Sequence, residues 1–157
     1  MAEKNSNTNP AQSWDSSVQF YFQVDFQSHN DCFQVSFMEV SGLAASLDIE
    51  RRRDEFMQFK KPERIAYGNI TFKRPLSPLP DSFCKWVKES FSYTSRATIK
   101  TYDVVIKLLG SDGRPLATWL CSHVYPVKWS LDSLNMSKDE LSVESVVVTC
   151  SRLERMI

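Results

Sequence analysis

Between Val18 and Gln27 the chain alternates: Val18, Phe20, Phe22, Val24 and Phe26 are interleaved with Gln19, Tyr21, Gln23, Asp25 and Gln27. A period of two sends successive side chains to opposite faces, so the run predicts a strand with one buried face. The stretch Ser28-His29-Asn30-Asp31 supplies a turn, and Phe33, Val35 and Phe37 open a second strand. Beyond Gly42, which permits a bend or bulge, Ala45, Leu47 and Ile49 alternate with Ser46, Asp48 and Glu50. Asn69 to Lys73 repeats the pattern, with Ile70 and Phe72 on one side and Asn69, Thr71 and Lys73 on the other.

The stretch from Pro75 to Asp81 cannot continue a sheet, because each proline removes a donor and fixes the backbone. It leads into one predicted helix, about Pro80 to Ser92. Proline suits a first turn, and Asp81 or Ser82 can satisfy free amides there. Phe83, Trp86, Val87 and Phe91 fall on one helical face, with Lys85, Lys88 and Glu89 off it. Then Tyr102, Val104, Ile106 and Leu108 alternate with Thr101, Asp103, Val105 and Lys107, and Asp112-Gly113 signals a hairpin. The return strand, Leu116 to Val124, carries Leu116 and Leu120 on one face and Trp119 and Cys121 on the other. It is therefore expected to be buried on both sides, between two layers or in an oligomer interface. Tyr125 to Glu140 reads as a connection, and Leu141 to Leu153 as a final strand. The order predicts an α+β fold, mainly antiparallel, with two packed sheets as a β-sandwich or barrel and one flanking helix.

Residues 51–64 break the alternation. Arg51, Arg52, Arg53, Lys60, Lys61 and Arg64 surround Phe56, Met57 and Phe59. Two readings stand side by side: a solvated loop, or a basic and partly apolar projection buried against a partner. Elsewhere the charge is even. Nineteen basic residues balance nineteen acidic ones, so no global attraction to nucleic acid or an anionic membrane is expected. The first 17 residues are polar with no hydrophobic run, which reads as a flexible arm before a domain over 18–157. With neither a leader nor an apolar stretch long enough to span a bilayer, synthesis in the cytoplasm is expected. There Cys32, Cys84, Cys121 and Cys150, which form no close pair, are expected as free thiols.

Candidate chemistry is sparse. His29 and His123 lie far from each other and from any pair of cysteines at metal-ligand spacing, so no metal site is read. Cys121 and His123 share a strand face, but no third group is visible to orient the imidazole. Four glycines build neither a phosphate-cradling loop nor a dinucleotide fingerprint, and no carboxylate pair stands out. No catalytic, cofactor or metal-binding residues are assigned, and an enzyme is not expected. Four tryptophans, five tyrosines and ten phenylalanines point elsewhere. Aromatics on alternating strands fill a core and supply area for subunit contacts.

Four motifs then line up in order: Phe37–Leu43 (FMEVSGL), Lys60–Leu76 (KKPERIAYGNITFKRPL), Phe83–Val87 (FCKWV) and His123–Val146 (HVYPVKWSLDSLNMSKDELSVESV). Together they resemble the tail-tube family of contractile phages and phage-like contractile injection systems, over about Val18 to Arg155. The segment after Glu50 departs from the family pattern, in which a tyrosine- and glycine-containing loop is usual. The resemblance implies a fold like the type VI secretion tube protein. It also implies hexameric rings, their sheets joined edge to edge, stacked around a lumen that carries cargo.

Expected partners are further copies of the chain, sheath, baseplate and spike proteins and cargo, with no membrane anchor. The particle would be a released tail-like structure or virion. A tube-initiating ring at the baseplate is a variant of this reading, and a monomeric ligand-binding barrel is the alternative from another class. Ring-stacking contacts are expected at Arg51, Arg52, Arg53, Phe56, Met57, Phe59, Lys60, Lys61 and Arg64. Sheet and core positions are expected at Phe72, Phe83, Trp86, Trp119 and Trp129.

Overall fold

A computed structural model describes residues 21–53, 58–76, 80–92, 98–132 and 142–157. In chain order the described elements are β1 (Tyr21–Gln27), β2 (Cys32–Phe37), β3 (Glu39–Ser41), β4 (Ala45–Arg53), β5 (Gln58–Tyr67) and β6 (Ile70–Pro75). They are followed by α1 (Ser82–Phe91), β7 (Tyr102–Leu109), β8 (Pro115–Leu131), β9 (Val143–Thr149) and β10 (Arg152–Arg155). All pairings are antiparallel. One path runs β2-β1-β7-β8-β9-β6-β3, with β10 also on β8, while β4 and β5 pair only with each other.

The long path folds into two layers because β8 belongs to both. Its first half pairs with β7 and β10, and its second half, from Tyr125 on, pairs with β9. The layers meet at a bulge where Ser122 and His123 intervene between the Val104–Cys121 and Tyr102–Val124 pairs. His123 adopts a left-handed backbone (φ 53°), a conformation that bulky side chains rarely take. Local bonds hold it there: Asp103 Oδ1 accepts from the His123 amide (3.1 Å), and His123 Nδ1 lies 2.9 Å from Ser151 Oγ. At the other side of the fold β2 runs into β3 across Met38 alone, so the same backbone segment again serves both layers.

The apolar faces of the two layers enclose one cluster. Val24, Phe26, Ile70, Phe72, Phe83, Val104, Ile106, Cys121, Val124, Val146 and Val148 are fully buried. Phe26 stacks on Phe33 (centroids 4.8 Å apart) and meets Phe83 and Trp86, each at 5.5 Å. Helix α1 closes the cluster with Phe83, Trp86 and Val87, and the Trp86 indole donates to the Lys100 carbonyl (2.8 Å). Phe91, on the expected buried face, lies in the last turn and is exposed.

A buried ionic knot fixes the helix to the sheet. Arg74 on β6 donates through Nε to Glu144 on β9 (3.1 Å) and through both terminal nitrogens to Asp81 (2.6 and 3.2 Å). It also donates to Cys84 Sγ (3.0 Å) and lies over the Phe83 ring, 4.8 Å from its centroid. Asp81 is the N-cap of α1 and accepts from the Cys84 amide (2.9 Å), while the Trp129 indole donates to the other Glu144 oxygen (2.8 Å). Burial would raise the Asp81 carboxyl, but the Arg74 hydrogen bonds and the helix amide outweigh it and hold it at about 2. Arg74 is correspondingly held further into its charged form, because the carboxylates outweigh the burial that opposes it.

Several sequence expectations need correction. Residues 51–53 and 58–64 form the paired strands of a hairpin rather than a solvated loop, because the charged residues keep their backbone donors and acceptors and only Pro62 lacks a donor. Tyr125 to Leu131 is strand, not connection; among the described residues only β9 pairs with it, and Pro126 is tolerated on such an edge. The final strand is split into β9 and β10 around Cys150-Ser151. Within its own chain the return strand does not lie between two layers, since Ala117 and Cys121 face the core while Leu116 is 53% exposed. The start of the first strand at Val18 lies outside the described residues. All four cysteines are free, and burial beside Cys150 pushes the Cys121 thiol up to about 12.

Candidate assembly surface

The hairpin β4–β5 leaves the sandwich between two tight backbone positions. At Gly42 (φ 85°) a Cβ would collide with the Asn69 carbonyl oxygen, so only glycine lets the outgoing and returning chains pass there. At its far side the Gly68 amide donates to the Ala44 carbonyl (2.9 Å). The strands then pair Ala45 with Tyr67, Ser46 with Ala66, Leu47 with Ile65 and Asp48 with Arg64, before a bulge shifts Ile49 to Pro62. Proline fits here, since each strand of a two-stranded sheet has a free edge.

Directly opposed residues share a face, so the two faces of the hairpin differ. One carries Asp48 and Arg64, joined at 2.9 Å and both solvated; such an exposed pair contributes at most about 1 kcal/mol. The other carries Leu47, Ile49 and Ile65, exposed at 56%, 54% and 54%. Among the described residues no third strand or helix lies on this sheet. A lone two-stranded hairpin is marginal in water, and an apolar face open to solvent marks a contact surface.

Of the expected stacking residues, Arg51, Arg52 and Arg53 end β4, while Phe59, Lys60, Lys61 and Arg64 belong to β5. The register sets Arg51 opposite Lys60 and Arg52 opposite Phe59. Phe56 and Met57 lie outside the described residues. Of the expected core positions, Phe72, Phe83 and Trp86 are buried, and Trp119 packs half-buried against the cluster. Trp129 is in the sheet but 46% exposed, because its indole turns to Glu144 at the end of the sandwich.

The sequence reading missed Leu47, Ile49 and Ile65 as an open face. Leu47 and Ile49 alternate as in any half-buried strand, and nothing local shows that no described layer lies above them. It also missed the Arg74 knot, whose partner Glu144 is 70 positions away. Among the described residues there is no group of three or more potential metal ligands, and no helix is long and apolar enough to cross a membrane.

The structure resembles a chain of an extracellular contractile injection system sheath–tube complex (TM-score 0.72, 22% identity, 95% of this chain and 98% of that one). It likewise resembles a chain of the anti-feeding prophage baseplate (TM-score 0.73, 21% identity, 89% and 95%). A more distant likeness is to a type six secretion system protein (TM-score 0.55, 10% identity, 87% and 82%). None of the curated proteins matches the chain in sequence. The family model described as T4-like virus tail tube protein gp19 matches residues 18–154, and the chain belongs to that family.

Proposed function

We propose that the chain is a structural subunit of the inner tube of a contractile injection system or phage tail. Six copies form a ring, rings stack around a lumen that carries cargo, and sheath, baseplate and spike proteins bind the finished tube. Such a subunit is made in the cytoplasm and leaves in the assembled particle. The observation that carries the reading is the hairpin: its face of Leu47, Ile49 and Ile65 is apolar, yet no described residue of its own chain covers it. A heterologous contact, in which this surface meets a different surface of the next copy, generates closed rings and open stacks. Among the described residues the outer edges of β2, β3 and β10 have no strand beside them, which supports it, since exposed edges invite pairing with another chain.

Negative-stain microscopy of the purified protein tests this. Six-fold rings and hollow tubes are expected, and the double variant Leu47→Ser, Ile65→Ser should fold but give shortened tubes or none. Rings of another symmetry, or full-length tubes from the double variant, contradict the proposal. Single rings that never stack favour a tube-initiating role, and a strict monomer at high concentration favours a ligand-binding barrel.

A further inference from the structure

Cys121 and Cys150 stand where the chain turns from one layer to the other. Cys121 immediately precedes the Ser122–His123 bulge of β8, and Cys150 lies in the bend between β9 and β10. The register lays these two corners side by side, with Leu153 opposite Cys121 and Thr149 opposite Tyr125. Between them the Ser122 carbonyl accepts from the Ser151 amide (2.9 Å) and from the Ser151 hydroxyl (3.1 Å). Inward alternation along β9, through Val146 and Val148, carries Cys150 to the core side, where it packs half-buried beside Cys121. Cys121 itself is fully buried. The other thiols sit elsewhere: Cys32 is exposed on β2, and Cys84 lies on α1 against Arg74.

Of these neighbouring thiols one is enclosed and the other keeps a flank toward solvent, which gives an entry position and a resolving position. We propose that Cys121 and Cys150 are a redox pair that closes a disulfide across the corner when the protein meets a low-molecular-weight disulfide. The Cys150 thiol gives up its proton and its sulfur attacks the small disulfide, leaving a mixed disulfide and one small thiol. Cys121 then gives up its proton and attacks the Cys150 sulfur, expelling the second small thiol. Two protein thiols are oxidised, and one small disulfide is reduced to two thiols. Burial raises both thiols above their ordinary range, so they stay protonated and closure is slow at neutral pH. The new bond ties the bulge of β8 to the bend that leads into β10 and stabilises the fold by restricting the unfolded chain. This inference is independent of the tube-subunit proposal.

Mass spectrometry of the full-length protein tests this, after incubation with excess oxidised glutathione, acid quenching and alkylation without reductant. A peptide pair joined through Cys121 and Cys150 should dominate, while exposed Cys32 carries a glutathione adduct and shows that the oxidant was active. The melting temperature should rise by several degrees on closure, and dithiothreitol should reverse both changes. Cys150→Ala should abolish the linked peptides and the rise alike. Absence of the linked pair while Cys32 is modified, or a rise that persists in Cys150→Ala, overturns the proposal. A link that forms only in denaturant also overturns it, because the native fold is then not what joins the two sulfurs.

Discussion

The sandwich and the hairpin are made by the same chemistry and end in opposite states. In β1 and β6 the alternating apolar set, Val24, Phe26, Ile70 and Phe72, is sealed between layers and a helix. In β4 and β5 the alternating set, Leu47, Ile49 and Ile65, is open to water. Alternation therefore states that a face is meant for burial and leaves open which chain buries it. In the first region the cover is encoded within the chain. In the second no described residue of the chain supplies it, and under the proposed function a neighbouring copy would.

The contrast can be broken most forcefully in the core. Phe26→Ala or Trp86→Ala should each lower unfolding free energy by about 3–5 kcal/mol, read by urea denaturation, because each removes an enclosed aromatic. A loss under 1 kcal/mol would put these rings in the same class as the hairpin residues. Arg74→Ala comes next. It leaves Glu144 buried without its cation, and removing one member of a buried pair costs about 3–5 kcal/mol at full enclosure. The half-exposed position of Asp81 tempers that figure. Arg74→Lys should rescue only part, since an ammonium cannot engage Asp81 and Glu144 together in the guanidinium's planar geometry.

Smaller again is the effect of acid. The Asp81 carboxyl sits at about 2 in the folded chain against 3.8 as its ordinary value. A depressed folded value stabilises the fold above the unfolded value, and that contribution drains away as pH falls from about 4 toward 2. Melting temperatures of the parent and Asp81→Asn should therefore converge over that window. A constant gap would dissociate the knot from the titration. At the small end, Leu47→Ser and Ile65→Ser should each shift protomer stability by no more than about 0.5 kcal/mol, as for ordinary surface changes. A larger loss would mean that the hairpin is sealed by its own subunit after all.

Much of the sandwich could be read directly from period-two patterns. Phe22 to Phe26, Phe33 to Phe37, Ile70 to Phe72 and Tyr102 to Leu108 all became strands, and of the two capping candidates, Asp81 and Ser82, it is Asp81 that caps the one described helix. The failures share a cause. Pro126 and the arginine run at 51–53 looked like interruptions because propensity is local, whereas pairing is settled by whatever strand lies alongside. Arg74 read as the basic end of a strand, and nothing near it announced Glu144. Tertiary polar contacts between distant positions leave no periodic trace. The candidate surface was legible in location but not in character. The charges around residues 51–64 draw the eye, while Leu47 and Ile49 read as an ordinary alternating strand and Ile65 carries no signal of its own.

The corner at His123 has a further consequence. Because one strand is a member of both layers, the bulge at Ser122 and His123 is where the two registers are reconciled. Deleting one of those two residues would advance one half of β8 against the other, and a shift of one position exchanges inside for outside along the half that moves. Cys121 in the first half and Tyr125 onward in the second could then no longer both keep their native partners. The corner is thus the place where the smallest change in chain length would set one layer against the other.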